Sequence, residues 1–220
     1  MKRSIDDTRE KFDSVSSEYD DTRSEEHHRA VDLVVEWASA LVEPDDTVVD
    51  LGAGTGMIAL EVAPHVGRLI ALDLSEEMLR ELDRKAEERG IQNVETAIGR
   101  FREPEAERSI DGADVIVSNY AMHHLNAQEK QEAIDHMADL LERGRSDRGY
   151  VILGDVMLFE EVEEPEEHYD PDVDDPSPVE DLQRWFSERG FSVEKVHRIA
   201  PATGVLALRY AGRPDDGQDD

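Results

Sequence analysis

VVDLGAGTGMIAL, residues 48–60, decides the fold. Thr47 to Leu51 is a short β-branched run and reads as a buried strand. It breaks into Gly52, Gly54 and Gly56. Glycine admits positive φ and lets a ligand approach the backbone closely. A short helix then opens at Gly56 and is expected to stop near Pro64. The start of such a helix offers unpaired N–H groups. In an open parallel sheet, ligands lie outside the carboxyl ends of the strands. A bare loop at such an end is therefore a site for a nucleotide-like molecule.

The same alternation continues outward. Upstream, Val31, Val34, Ala38 and Leu41 recur at helical spacing from Ser24 to Val42, and Pro44 closes that helix. Downstream, strands are expected at Arg68–Asp73, Asn93–Ile98, Ala113–Ser118 and Tyr150–Gly154. Helices are expected from a Ser75 cap to Arg89, stopped by Gly90, then over Ala127–Leu141 and Pro178–Arg189. Phe191–His197 and Gly204–Tyr210 close the chain as two strands joined by a short turn. Strands that are unbroken apolar runs between helices imply a mostly parallel sheet covered on both faces. The final pair has no helix between its strands and is most simply antiparallel. The fold class is α/β.

The chain has 220 residues, which favours one domain with a substantial core. It carries 54 Asp and Glu against 24 Lys and Arg, a net charge of −30. Self-repulsion on that scale destabilises a compact state in dilute salt. At molar salt the Debye length falls to about 3 Å. The composition fits an ordinary acidic protein or, as we prefer, one built for a salt-rich cytoplasm. No basic stripe for nucleic acid is visible. There is no cysteine, which excludes disulfides, thiolate metal sites and a thiol nucleophile. No apolar run approaches a membrane span, and Met1-Lys2-Arg3 leads into acids, so the expectation is a soluble, cytoplasmic protein without a membrane partner.

The dinucleotide fingerprint G-x-G-x-x-G fails here, because Met57 stands where it needs glycine. Asp73 closes the second strand, where a carboxylate can accept hydrogen bonds from ribose hydroxyls. Asp50 adds a carboxylate beside the loop, which suits a cationic ligand better than a polyphosphate. VVDLGAGTG resembles the first motif of class I S-adenosylmethionine (SAM) dependent methyltransferases, and LIALDLSEEML their second. ADVIVSNYAMHHL resembles their fourth-strand motif and RGYVILGDVMLF their fifth strand. The resemblance is nearest to small-molecule enzymes of the quinone-biosynthesis type. It implies a Rossmann-like, seven-stranded, mostly parallel sheet with helices on both faces and a reversed C-terminal β-hairpin.

The resemblance also implies site residues. Gly52, Ala53, Gly54 and Gly56 would pass beneath the cofactor, with Asp50 near its amino-acid end. Asp73 would hold the ribose, with Leu74 and Met78 near the adenine. Asn119 and Tyr120 would line the pocket under the sulfonium, and Tyr19 would close over it. After the third strand, Gly99-Arg100 replaces the Gly-Asp that meets the adenine amino group. Arginine cannot accept that hydrogen bond, which leaves Glu103, or Phe101 with backbone groups, for the task.

Methyl transfer needs a general base only when the acceptor must lose a proton. His123, Tyr120 and Asp155 are the catalytic candidates, and His124 reads as a packed histidine. His27 and His28 read as a solvated helix start, Trp37 and Trp185 as packing residues. His168-Tyr169 reads as surface, with acceptor contact as the alternative, and no cluster has metal-ligand spacing. Residues 1–43 are expected to form a cap segment and helix, 44–212 the cofactor-binding domain, and 213–220 a disordered acidic tail. The acidic stretch 159–178 is read as a solvated loop or a lid. The function so implied is methyl transfer from SAM to a small molecule, releasing S-adenosylhomocysteine. The alternatives are an RNA or protein methyltransferase, or a non-catalytic SAM-binding protein.

Overall fold

The computed structural model describes residues 13, 20, 24–105, 108–145, 149–162 and 169–213. Helix α1 (Glu25–Leu41) starts at Ser24, whose side chain accepts the His27 N–H at 3.2 Å. There follow β1 (Thr47–Leu51), α2 (Ala59–Val62), β2 (Arg68–Asp73) and α3 (Glu76–Arg89). Then come β3 (Val94–Ile98), β4 (Val115–Asn119), α4 (Ala127–Arg143) and β5 (Tyr150–Leu158). The chain closes with β6 (Ser177–Pro178), α5 (Val179–Ser187), β7 (Phe191–Ala200) and β8 (Thr203–Tyr210).

The strand order is β3-β2-β1-β4-β5-β8-β7, with the two-residue β6 beside the end of β5. The first five strands run parallel. β8 lies antiparallel to both β5 and β7, so the closing hairpin is reversed as expected. Alternation along each strand splits the core in two. Val49, Ile116 and Val151 face one layer with α4 and α5. Val48, Val117 and Ile152 face the other with α1 and α3. Each side chain fully buried in these layers contributes roughly 1.5–3 kcal/mol.

Local chemistry sets the helix ends. The Ser75 side chain accepts the Met78 N–H at 3.2 Å, and Gly90 ends α3 at φ +70°. Asn126 and Glu129 form a reciprocal capping box at α4. At the amino ends of the strands, Arg145 joins two buried acids. It pairs with Asp46 and hydrogen-bonds Asp114 Oδ1 through Nε at 3.1 Å. Asp114 Oδ2 also accepts the Thr47 N–H at 2.8 Å.

Several elements differ from the sequence expectation. The turn after Gly56 becomes helical only at Ala59; the α-helix stops at Val62, near Pro64 as expected, and a 3-10 turn, Ala63–His65, follows. β5 runs past Gly154 to Leu158, because Asp155 and Val156 pair with Gly204 and Thr203 of β8. β6 was not foreseen. Ser177 and Pro178 pair with Met157 and Leu158, and α5 is correspondingly shorter, ending at Ser187.

Candidate functional site

The parallel register brings one set of residues to the carboxyl edge of the sheet. Leu51 pairs with Leu72, Asp73 with Ile98, and Asn119 with Gly154. Above that edge opens a cavity of about 480 Å³. Gly52 has φ +77°, and a Cβ there would lie 2.5 Å from the Ala121 Cβ. Gly54 has φ +53°, and a Cβ there would enter open space. Gly56 does not line the cavity. Its φ is +88°, and a Cβ would meet Leu82 Cγ at 2.8 Å, so this glycine serves helix packing.

Two carboxylates stand beneath the loop. Asp73 accepts the Gly54 N–H through Oδ2 at 2.8 Å and the Ser75 N–H through Oδ1 at 2.9 Å. Burial raises its pKa above the usual range, against the lowering effect of the Ser75, Gly54 and Leu74 N–H groups. Asp50 is 1% exposed, and neither carboxylate oxygen has a hydrogen-bond partner among the described residues. Burial first, and the Asp73 charge second, push its pKa up to about 8. The Ala59 N–H, outside hydrogen-bonding geometry, offsets only part of this. An acid held neutral in this way regains its charge when a cation arrives.

Leu74, Met78, Phe101 and Asn119 line the cavity together with Ala53, Gly54, Asp50 and Asp73. Arg100 also lines it, but its backbone is tied to Glu103 by two hydrogen bonds of 3.1 and 3.0 Å. Glu103 lines the same wall. The Asn119 Oδ1 is buried without a hydrogen-bond partner among the described residues. Tyr120 has φ +50°, the one positive value at a non-glycine among the described residues. Its hydroxyl lies 3.1 Å from Thr203 Oγ1, and burial pushes its pKa up to about 12. Tyr19 lies outside the described residues, as does His168. The neighbouring Asp20 is tied to the glycine loop through Thr55 and through Lys85 Nζ at 2.6 Å.

Of the three catalytic candidates, only Tyr120 lines the cavity. His123 and Asp155 are 5% and 2% exposed and sit behind its wall. His123 Nδ1 lies 2.5 Å from Asp155 Oδ1, while Nε2 faces Asp174 Oδ1 at 3.7 Å. His124 lines the cavity, with Nδ1 3.0 Å from the same Asp174 oxygen. Burial, with the neighbouring His123, lowers the His124 pKa. Burial raises that of Asp174, but the His124 hydrogen bond and the His123 charge outweigh it and hold this acid below its usual range.

Three features escaped the linear reading. His27 is not solvated. It is 5% exposed, lines the cavity and packs its ring 4.5 Å from Tyr120. Its spacing to Val31 and Val34 already placed it on the apolar face of α1. Asp174 joins His123 and His124 into a cluster whose ligand atoms lie within 4.8 Å of one another. No spacing rule finds it, because Asp174 comes from the distant acidic stretch. Lys130, 2% exposed, anchors that stretch through the Asp175 carbonyl and through Ser177 Oγ at 3.0 Å.

Residues 48–144 match the family model described as a methyltransferase domain. Over these residues the chain is similar to that family, and its fold is the Rossmann-like methyltransferase fold. Among relatives of this domain, the uncharacterized methyltransferase YcgJ of Bacillus subtilis is 31% identical over 115 residues, covering 51% of this chain and 43% of that protein. The arsenite methyltransferase of Halobacterium salinarum is 31% identical over 169 residues, covering 72% of this chain and 40% of that protein. The chain thus spans about two fifths of the length of these two relatives. The solved structure of the DhpI–SAH complex superposes with a TM-score of 0.72 at 20% identity, covering 96% of this chain and 97% of that one. At that identity the likeness is one of fold. No helix among the described residues is long and apolar enough to cross a membrane.

Proposed function

We propose that the protein transfers the methyl group of SAM to a small-molecule acceptor, releasing S-adenosylhomocysteine. The observation that carries this reading is Asp50, a buried carboxyl group without a hydrogen-bond partner among the described residues, at the floor of an open cavity. Burying such a group uncompensated is costly. The ammonium group at the amino-acid end of SAM supplies the missing charge. Asp73 keeps lone pairs beyond the two taken by Gly54 and Ser75, and a carboxylate can accept about four hydrogen bonds. Those lone pairs suit vicinal ribose hydroxyls. Gly54 leaves the space that a Cβ would take. Leu74, Met78 and Phe101 offer apolar surface to a flat base, and Glu103 supplies the acceptor that Arg100 cannot.

When bound, SAM supplies a methyl group on a sulfonium, which an acceptor lone pair takes in line as the C–S electron pair returns to sulfur. The protein contributes placement. Asn119, Tyr120 and His27 bound the space beside the glycine loop. Tyr120 stays neutral, and His123 is buried behind the cavity wall, so neither is placed to take a proton from the acceptor. A neutral amine, a thiolate or an already ionised oxygen needs no proton removed before it attacks.

A cavity of about 480 Å³ falls in the range of roughly 300–1,000 Å³ typical of small-molecule sites. A net charge of −30 disfavours RNA. Arsenite itself fits poorly, because the chain has no thiolate to hold trivalent arsenic. The charge also supports a salt-rich working environment. Calorimetric titration with SAM and with S-adenosylhomocysteine in molar KCl tests the cofactor. Labelled-methyl transfer into a metabolite extract, against RNA, tests the acceptor class. No heat with either ligand on a folded sample overturns the assignment.

A further inference from the structure

We propose that His123, His124 and Asp174 form a binding site for a first-row divalent cation of zinc type at the acceptor end of the cavity. Three potential ligand atoms converge there: His123 Nε2, His124 Nδ1 and Asp174 Oδ1. The carboxylate oxygen lies 3.7 Å from the first nitrogen and 3.0 Å from the second. Ligand atoms about 2.0–2.1 Å from a tetrahedral zinc are about 3.3 Å apart, between these two distances. The two nitrogens lie within 4.8 Å of each other, so closing on an ion draws the imidazoles together around it.

Each ligand is oriented from behind. His123 Nδ1 meets Asp155 Oδ1 at 2.5 Å, and that carboxylate also accepts the Val156 N–H at 2.8 Å. A carboxylate on the far nitrogen of a metal-binding histidine fixes the tautomer and raises its basicity. Asp174 Oδ2 accepts the Asp170 N–H at 2.9 Å, which leaves Oδ1 for the histidines. The Asp175 N–H donates to the His123 carbonyl at 2.7 Å, locking the acidic stretch onto the 3-10 turn Met122–His124. Buried Lys130 holds the same stretch from below. Imidazole and carboxylate ligands without thiolate suit a borderline cation.

Three protein ligands leave a coordination position, and His124 and Val173 line the cavity beside it. An anionic oxygen of the acceptor would bind there, and the cation would hold it ionised. This last step rests on the methyl-transfer reading, whereas the site itself does not, so metal binding can hold where transfer fails.

The test is a calorimetric titration with zinc ion alone, after removal of metal with chelator, in molar KCl to suppress diffuse attraction to the acidic surface. One equivalent is expected. Asp174→Asn, similar in shape, should abolish it, and Asp155→Asn should weaken it about 10- to 100-fold. Asp172→Asn, a neighbouring exposed acid, should leave it unchanged. Cobalt ion on the wild type should give the strong visible absorption of a tetrahedral N/O site, a readout independent of any variant's folding. Absence of that band overturns the proposal. So does zinc affinity equal in wild type and folded Asp174→Asn, or weakened equally by Asp172→Asn.

Discussion

Asp50 makes SAM affinity a function of pH, and the sign follows from its environment. Its pKa is raised from 3.8 to about 8 by burial and by Asp73. At neutral pH most molecules hold a proton on Asp50 before the ligand arrives. The ammonium of the ligand's amino-acid end binds best to the ionised form, so the proton must leave. One pH unit below the pKa, that costs about 1.4 kcal/mol, a factor of ten in affinity. Affinity should therefore rise close to tenfold per pH unit and level off above about 8. Calorimetry in buffers of different ionisation enthalpy should detect release of nearly one proton at neutral pH. Asp50→Asn should bind more weakly and show neither the slope nor the release. The apo protein should show the complementary stability trend. A raised folded-state pKa contributes stability that is complete below 3.8 and is lost as pH climbs to about 8. Asp50→Asn should thus be more stable than wild type at neutral pH while binding less. A wild-type affinity independent of pH, or an equal slope in the variant, refutes this account of the site.

Three further outcomes follow from the geometry. Gly54→Ala places its methyl in open space at φ +53°, so it should fold at a cost of roughly 1–2 kcal/mol yet lose more than tenfold in SAM affinity. Gly52→Ala drives its methyl against Ala121, so its main effect should be on the denaturation midpoint; a midpoint equal to that of Gly54→Ala contradicts the packing argument. Lys130→Ala removes the anchor of the Asp175 carbonyl and Ser177, for roughly 1–3 kcal/mol, and limited proteolysis should then cut near residues 170–176. Thermal midpoints should climb with KCl, since a net charge of −30 is screened as the Debye length shrinks from about 10 Å to about 3 Å. A flat midpoint over that range removes the case for a salt-rich habitat.

The part of this molecule written in local patterns was legible in its sequence. β1 and β2 run from Thr47 to Leu51 and from Arg68 to Asp73, as their apolar runs indicate. Ser75 and Gly90 bound α3 as capping chemistry requires. That Asp50, Gly52, Gly54 and Asp73 would meet at one cavity was legible too, because they sit at strand ends that the topology must align. What depends on distant pairing was not. β5 extends where β8 receives it, and β6 lies where the end of β5 pairs with it and Lys130 holds Ser177. His27 was misjudged through its polarity, although its position on α1 pointed inward. The cluster of His123, His124 and Asp174 joins residues that only the folded chain brings together.

The Arg145 clasp lies at the opposite edge of the sheet from every ligand-facing group. Asp46 and Asp114, tied there to Arg145 and to the starts of β1 and β4, keep the strand ends in register however the upper loops are changed. A scaffold divided in this way can exchange its acceptor loops, by evolution or by grafting, while its foundation keeps the same charges in the same place.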